Sequence, residues 1–196
     1  MVNRVEALKE SLVAICGEGV GELVIERGDL VVTVQPAALA AVLKRCKESP
    51  QLAFEMLVDI TAVDWLDARE KRFEVVYQLL SLTKTQRLTI KVPLGEDRPE
   101  VVTATALWRG ANFLEREVWD MFGIRFEGHP DLRRILMYEE FVGHPLRKDY
   151  PVQGKQPRVQ LRSPEVENTA RKMQRGDLVT IRAKKGEATA DKRQGA

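Results

Sequence analysis

The sequence predicts an α+β fold: a two-layer domain with a mainly antiparallel sheet and helices on one face, followed by an extended C-terminal arm. Three observations carry this. Apolar residues recur at steps of three and four in segments near the N-terminus and again around residue 118, which is the helical period. Between them lie short β-branched runs whose connecting breaks are mostly too brief for parallel crossovers. Beyond Phe126 the pattern changes: His-Pro and Tyr-Pro pairs punctuate the chain, no period is visible from Val152 to Arg162, and Ser163-Pro164-Glu165 could cap a short helix reaching to Arg175.

The elements follow in order. Residues 2–16 place Val5, Leu8, Leu12 and Ile15 on one helical face, and Gly17, Gly19 and Gly21 end that helix. Glu22–Glu26 and Leu30–Val34, joined by Arg27-Gly28-Asp29, suit a hairpin. Pro36 sits where a helix can begin, because its missing N–H has no partner in a first turn. Leu39, Val42, Leu43 and Cys46 then form a buried stripe, closed by Ser49-Pro50. Phe54–Ile60 is a strand running on towards Trp65, and Asp67–Lys71 is a polar break. Phe73–Leu80 and Arg87–Val92 are two further strands. Val101–Leu107 reads as a short helix. Asn112 is placed as an N-cap with Glu115 completing a capping-box pair. Leu114, Val118, Met121 and Phe122 supply the stripe of the helix that follows, and Gly123 is placed as its left-handed C-terminal cap. Arg116 and Asp120, four apart, read as a flanking ion pair worth a few tenths of a kcal/mol. The expected organisation is an α+β domain over residues 1–127, an arm over 128–182 and a disordered basic tail over 183–196.

Composition narrows the function. Apolar residues make up 44% of the 196 residues, enough for a core, and 31% are charged, as a well-solvated surface requires. No apolar run approaches the roughly 18 residues of a membrane span. The start, Met1-Val2-Asn3-Arg4, lacks the apolar block of a signal peptide, so a cytoplasmic location is expected. The net charge of +2 conceals an asymmetry: residues 125–196 hold 16 Lys and Arg against 10 Asp and Glu, and residues 1–124 hold 15 against 19. A mildly acidic body therefore carries a basic C-terminal part, which suits nucleic acid, an anionic membrane surface or an acidic protein surface.

Several chemistries lack their motifs. Cys16 and Cys46 are the two cysteines, each in a helical segment among apolar neighbours, and they read as buried reduced thiols. With no C-x-x-C, an iron–sulfur cluster or zinc ribbon on this chain is not expected. The two histidines, His129 and His144, have no zinc-hydrolase spacing. There is no Walker A motif and no G-x-G-x-x-G opening a helix after a strand. Gly17-x-Gly19-x-Gly21 precedes a strand and reads as a turn. One stretch is dense in functional side chains: His129-Pro-Asp-Leu-Arg-Arg and His144-Pro-Leu-Arg-Lys-Asp-Tyr-Pro, with their shared His-Pro and following Arg. It could be a pair of catalytic histidines with arginine clamps for an anion. It could be a nucleic-acid patch, although only Tyr138, Phe141 and Tyr150 are interleaved. It could be a proline-stiffened strap whose Arg and His make charge-assisted hydrogen bonds to a partner or to the chain's own acidic body.

The residues 115–124 (Glu-Arg-Glu-x-x-Asp-Met-Phe-Gly-Ile), 126–136 (Phe-x-Gly-His-Pro-Asp-Leu-Arg-Arg-Ile-Leu) and 143–151 (Gly-His-Pro-Leu-Arg-Lys-Asp-Tyr-Pro), with Ala111-Asn-Phe-Leu upstream, closely resemble the C-type subunit of bacterial respiratory complex I, the proton-translocating NADH:quinone oxidoreductase. The resemblance covers about forty residues and stops before about 165. It implies a cofactor-free structural subunit of the peripheral arm, inactive in isolation. It implies that FMN, the iron–sulfur clusters and quinone belong to other subunits. The implied partners are the large D-type subunit, which helps form the quinone-reducing region, and other peripheral-arm subunits, with no nucleic acid. Membrane association would come only through the complex, on the cytoplasmic side of the inner membrane. The expected partner interface comprises Glu115, Arg116, Glu117, Asp120, His129, Asp131, Arg133, Arg134, His144, Arg147, Lys148, Asp149 and Tyr150. The same domain is also expected in energy-converting hydrogenases and formate hydrogenlyases, which gives the runner-up reading. A stand-alone enzyme using His129 or His144 is the reading of a different class.

Overall fold

Side-chain period places the first layer. In the computed structural model, which describes residues 2–153 together with Gln156 and Pro157, helix α1 spans Val2–Cys16 and turns Leu8, Leu12 and Cys16 inward. Strands β1 (Val20–Glu26) and β2 (Asp29–Val34) form the expected hairpin, closed by Arg27 and Gly28. Both have positive φ, 54° and 91°, the turn whose twist matches that of flanking strands. Pro36 opens a single 3₁₀ turn that leads into α2 (Leu39–Glu48), where Leu39, Val42, Leu43 and Cys46 are buried as the stripe predicts.

Strands β3 (Met56–Asp64), β4 (Phe73–Ser81) and β5 (Gln86–Leu94) follow as antiparallel neighbours. The sheet order is β1-β2-β5-β4-β3. Its one parallel ladder is β2 with β5, possible because α2 and two strands lie between them in sequence. The alternation of each strand sends Val32 and Val34, Val75, Tyr77 and Leu79, and Leu88, Ile90 and Val92 to the same face. There they share a single core with α1, α2 and helix α3 (Ala111–Phe122). The α+β architecture with helices on one face is therefore as expected.

Two local expectations fail. Val101–Leu107 is not a helix: Glu100–Val102 is strand β6, paired in parallel with β7 (Arg125–Glu127), and a turn follows. The ladder partner lies about 25 residues away, so no local pattern announces it, and pairing overrides the weak local preference. Asn112 does not cap α3. The helix starts two residues earlier, at Ala111 after Gly110, without a side-chain cap, and the Glu115 carboxylate points elsewhere.

Residues 1–157 form one compact unit, so the domain boundary expected at 127–128 falls inside it. The remainder of the arm, to 182, and the tail 183–196 lie outside the described residues.

The core holds one polar oddity. The Tyr77 ring is fully buried, and its hydroxyl has no hydrogen-bond partner among the described residues. Burial, and to a lesser degree the Glu115 carboxylate, push its ionisation well above the usual phenol range. Removing an unsatisfied buried hydroxyl without changing shape should cost nothing. Tyr77→Phe is expected to be neutral or stabilising by up to about 1–2 kcal/mol in urea denaturation. A loss above about 1 kcal/mol would mean the hydroxyl is bonded.

The α3–strap junction as candidate docking site

Helix α3 is amphipathic, yet three of its charged residues are buried: Glu115, Arg116 and Asp120. Charges withdrawn from water must be paired or hydrogen-bonded, and each has a different solution. Arg116 and Asp120 do not pair along the flank. Arg116 donates through Nε to the Arg133 carbonyl and through Nη2 to that of Arg134, both at 3.1 Å. Asp120 is fully buried and collects four donors. Arg134 Nη1 meets Oδ1 at 2.5 Å, and the amides of Ile135, Leu136 and Met137 reach Oδ2 at 3.1, 2.9 and 2.8 Å. Burial raises its ionisation, but these bonds outweigh it and hold the carboxyl below the ordinary aspartate value.

Arg134 is the matching centre on the strap side. Besides Asp120 it donates to the carbonyls of Phe141 (2.8 Å) and Gly143 (3.0 Å), and its guanidinium lies against the rings of Trp119 and Phe141. Five donors on a rigid plane let one side chain gather the helix and two strap turns at once.

The end of α3 completes the junction. The last carbonyls of a helix have no partner within it. Here Gly123, at φ +76°, donates to Trp119, His144 Nδ1 to Asp120 at 3.0 Å, the Leu146 amide to Met121 at 3.1 Å, and Arg147 Nε to Phe122. Gly123 is the left-handed cap the sequence predicts, and a second constraint applies there. A Cβ at this position would lie 2.6 Å from both the His144 ring and Arg147 Nη2. Burial, assisted by the Arg147 and Arg134 charges, keeps the His144 imidazole below its ordinary value, although the Asp120 carbonyl pulls the other way.

A second anchor ties the strap to the sheet. Arg72, buried just ahead of β4, grips Asp64 at the end of β3 in bidentate fashion (3.1 and 3.0 Å) and reaches Glu96 at 2.5 Å and Asp149 at 2.9 Å. Asp64 also accepts the Lys148 amide at 2.9 Å. These bonds lower the Asp64 carboxyl against its burial, and Arg72 lowers Asp149. Nothing in the sequence singled out Asp64 or Arg72. Charged residues flanking a strand ordinarily read as solvated.

The remaining predicted residues divide. His129 donates from Nε2 to the Asn112 carbonyl (3.1 Å) and accepts the Asp131 amide at Nδ1 (3.0 Å), so both ring nitrogens are committed. Asp131 pairs with Arg133 on the surface. Tyr150 stacks on Phe141 and bonds Gln156. Glu117 and Lys148 point to solvent. Glu115 is not paired with an arginine. Its carboxylate accepts the Thr103 hydroxyl (2.5 Å) and the Ala104 amide (2.6 Å), bracing the loop after β6. The strap reading therefore accounts for most of these side chains, with the chain's own α3 and sheet as the surface they grip. Among the described residues no group of three or more His, Cys, Asp or Glu is placed to hold a metal.

Burial pushes the Glu115 carboxyl up to about 7 despite its two hydrogen bonds. The fold thus prefers the protonated form. Its contribution is complete below the unfolded value of 4.5 and is lost as pH rises to about 7. Glu115→Gln should be neutral at pH 4 and stabilising by roughly 2–3 kcal/mol at pH 8 in chemical denaturation. An equal effect at both pH values would contradict this. Asp120→Asn sets an amide against Arg134 and should cost about 3–5 kcal/mol. Limited trypsinolysis should then cut at Arg133, Arg134 or Arg147 while the sheet stays intact, and an unchanged cleavage rate would refute the clamp.

Residues 32–156 match the family model described as respiratory-chain NADH dehydrogenase, 30 Kd subunit. The C-type subunit of NADH-quinone oxidoreductase from Trichlorobacter lovleyi is 52% identical over 129 residues, covering 66% of this chain and 78% of its own. The C-type subunit from Leptothrix cholodnii is 41% identical over 160 residues, 79% of this chain and 80% of its own. Among solved structures, a trypsin-resistant fragment (1–134) of Nqo5 is 38% identical with a TM-score of 0.57, covering 66% of this chain and 99% of the fragment. A chain of the membrane-bound sulfane sulfur reductase, an archaeal respiratory membrane complex, is 25% identical with a TM-score of 0.63, covering 87% and 93%. The matched span runs from within β2 to residue 156, and the chain belongs to the 30-kDa subunit family of the respiratory-chain NADH dehydrogenases.

Proposed function

We propose that this chain is a cofactor-free docking subunit in the peripheral arm of NADH:quinone oxidoreductase and that it seats the quinone-site D-type subunit on the outward side of its strap. The observation that carries this is the contrast between the two sides of that segment. Arg134, His144 and Arg147 turn inward onto α3, while Leu136, Val142 and Leu146 are 56%, 66% and 53% exposed. Apolar side chains left in water on a segment fixed by ionic bonds form a surface ready for a partner. Such a surface binds with little ordering cost, because the strap is already held. Exposed Phe113 on α3 extends the apolar surface available.

Cofactor-free service suits the side chains. Cys16 and Cys46 lie in the hydrophobic core, and the rings of His129 and His144 are bonded to backbone carbonyls. FMN, iron–sulfur clusters and quinone are then the business of neighbouring subunits. A stand-alone enzyme working through either histidine is disfavoured by those same bonds. No helix among the described residues is long and apolar enough to cross a membrane, which fits a peripheral place on the cytoplasmic side of the inner membrane, reached through the complex. The likeness to a chain of the sulfane sulfur reductase complex supports one second reading, the equivalent component of a related membrane-bound respiratory complex.

The test is affinity purification of the tagged chain from cells with its natural partners present. The wild type should bring down the quinone-site D-type protein. Leu136→Asp with Val142→Asp, two changes at exposed positions that leave the clamp intact, should reduce recovery at least tenfold with an unchanged melting temperature. Undiminished recovery would refute the outward strap as the interface. Recovery of a hydrogenase-like or sulfur-reductase large subunit would establish the second reading.

A further inference from the structure

We propose that the end of the sheet carrying Met56, Val58 and Leu82 is a second docking surface, fitted to a protein face whose apolar centre is ringed by carboxylates. These three side chains are 44%, 49% and 62% exposed. Apolar side chains exposed as a cluster, rather than singly, mark a contact surface. The fold gathers them. Leu82 is in the turn between β4 and β5, Met56 begins β3 opposite Leu80 of β4, and Val58 is the extra residue of a bulge in that ladder. Met56 and Leu82 wall one open hollow of about 460 Å³, with Leu57, Leu107 and Trp108 also lining it. Glu55 fixes the hollow. Its carboxylate accepts the Leu82 amide (2.9 Å) and the Thr83 hydroxyl (2.7 Å), and its carbonyl accepts the Trp108 indole N–H (3.0 Å). Lys47 of α2 donates to the Leu107 carbonyl and lies 5.5 Å from the Trp108 ring centre. Exposed side chains on a backbone held this way dock with little ordering cost.

Charge selects the occupant. Lys47 and Arg109 line the hollow, and Lys84 sits in the same turn as Leu82. Against these cations the wall holds the carboxylate of Glu55, already bonded to the turn. The Lys84 ammonium and the Arg109 guanidinium are exposed and have no partner among the described residues. Carboxylates on a partner would meet them at the rim, where complementary charge sets register and speeds encounter. A second copy of this chain does not fit, because pairing the surface with itself brings cations to one rim. The place is also separate from the strap, and the inference stands without the strap reading. The strap's Lys148 amide meets β3 at Asp64, the opposite end of the strand from Met56 and about 25 Å away. A protein seated on Leu136, Val142 and Leu146 leaves the Met56 end open. The surface is therefore assigned to a different protein from the one on the strap.

The test is photo-crosslinking of the tagged full chain in cells with its natural partners, with benzoylphenylalanine replacing Leu82 or, as a second probe, Met56. Irradiation should join the chain to another protein. The linked peptide, read by mass spectrometry, should hold apolar residues flanked by Asp or Glu. Lys84→Glu with Arg109→Glu in the probe chain should lower the adduct yield roughly tenfold. The melting temperature should not change, since neither side chain is bonded in the fold. Recovery of the D-type protein, scored in the same preparation, should also be unchanged, so failure of the strap reading and failure of this surface give different results. No adduct from either position, an adduct joining two copies of this chain, an adduct with the D-type protein, a linked segment lacking acidic residues, or a yield indifferent to the charge reversals would each overturn the proposal.

Discussion

Asp120 is the group on which the junction depends. A carboxylate with no exposed surface costs several kcal/mol unless its oxygens are bonded, and four donors converge on this one. Three of them are consecutive backbone amides, of Ile135, Leu136 and Met137, in a stretch with no regular secondary structure. Ordinarily such amides would go to water or a ladder. Here a helix side chain supplies their acceptor, and the fourth donor, Arg134, brings the next two strap turns with it. A segment unable to build its own core is therefore ordered by a charge that cannot otherwise be buried.

The same logic governs the end of α3. Its orphan carbonyls need donors, and its macrodipole favours positive charge there. Arg147 supplies both, and His144 and the Leu146 amide supply further donors, at a point where only glycine leaves room for them. Arg72 repeats the device at the sheet edge, joining Asp64 to Asp149. The strap is thus fastened at both the helix and the sheet, and its exposed apolar residues are what remains for a neighbour to cover.

Much of this was legible in the sequence. The stripes of α1 and α2, the hairpin at Arg27-Gly28, the antiparallel middle strands and the Gly123 cap all follow from local period or backbone demand. What was not legible depends on distant partners. β6 is a strand only because β7 lies beside it. Asp64 and Arg72 are a clamp only because folding sets them under residue 149. Glu115 did carry a signal that the capping-box reading obscured: it shares the apolar face of Ala111, Val118 and Phe122, where a charge has to be buried. The His-Arg-rich run reads from sequence as a strap, and in the fold Arg134, His144 and Arg147 grip this chain's own α3.

The most direct measurement is amide hydrogen exchange by NMR across the strap of the full chain. The Asp120 clamp predicts that Ile135, Leu136 and Met137, though outside any helix or strand, exchange with protection comparable to the ends of α3 and well above that of Glu140 nearby. Exchange of those three amides at the rate of an unstructured peptide would contradict the account.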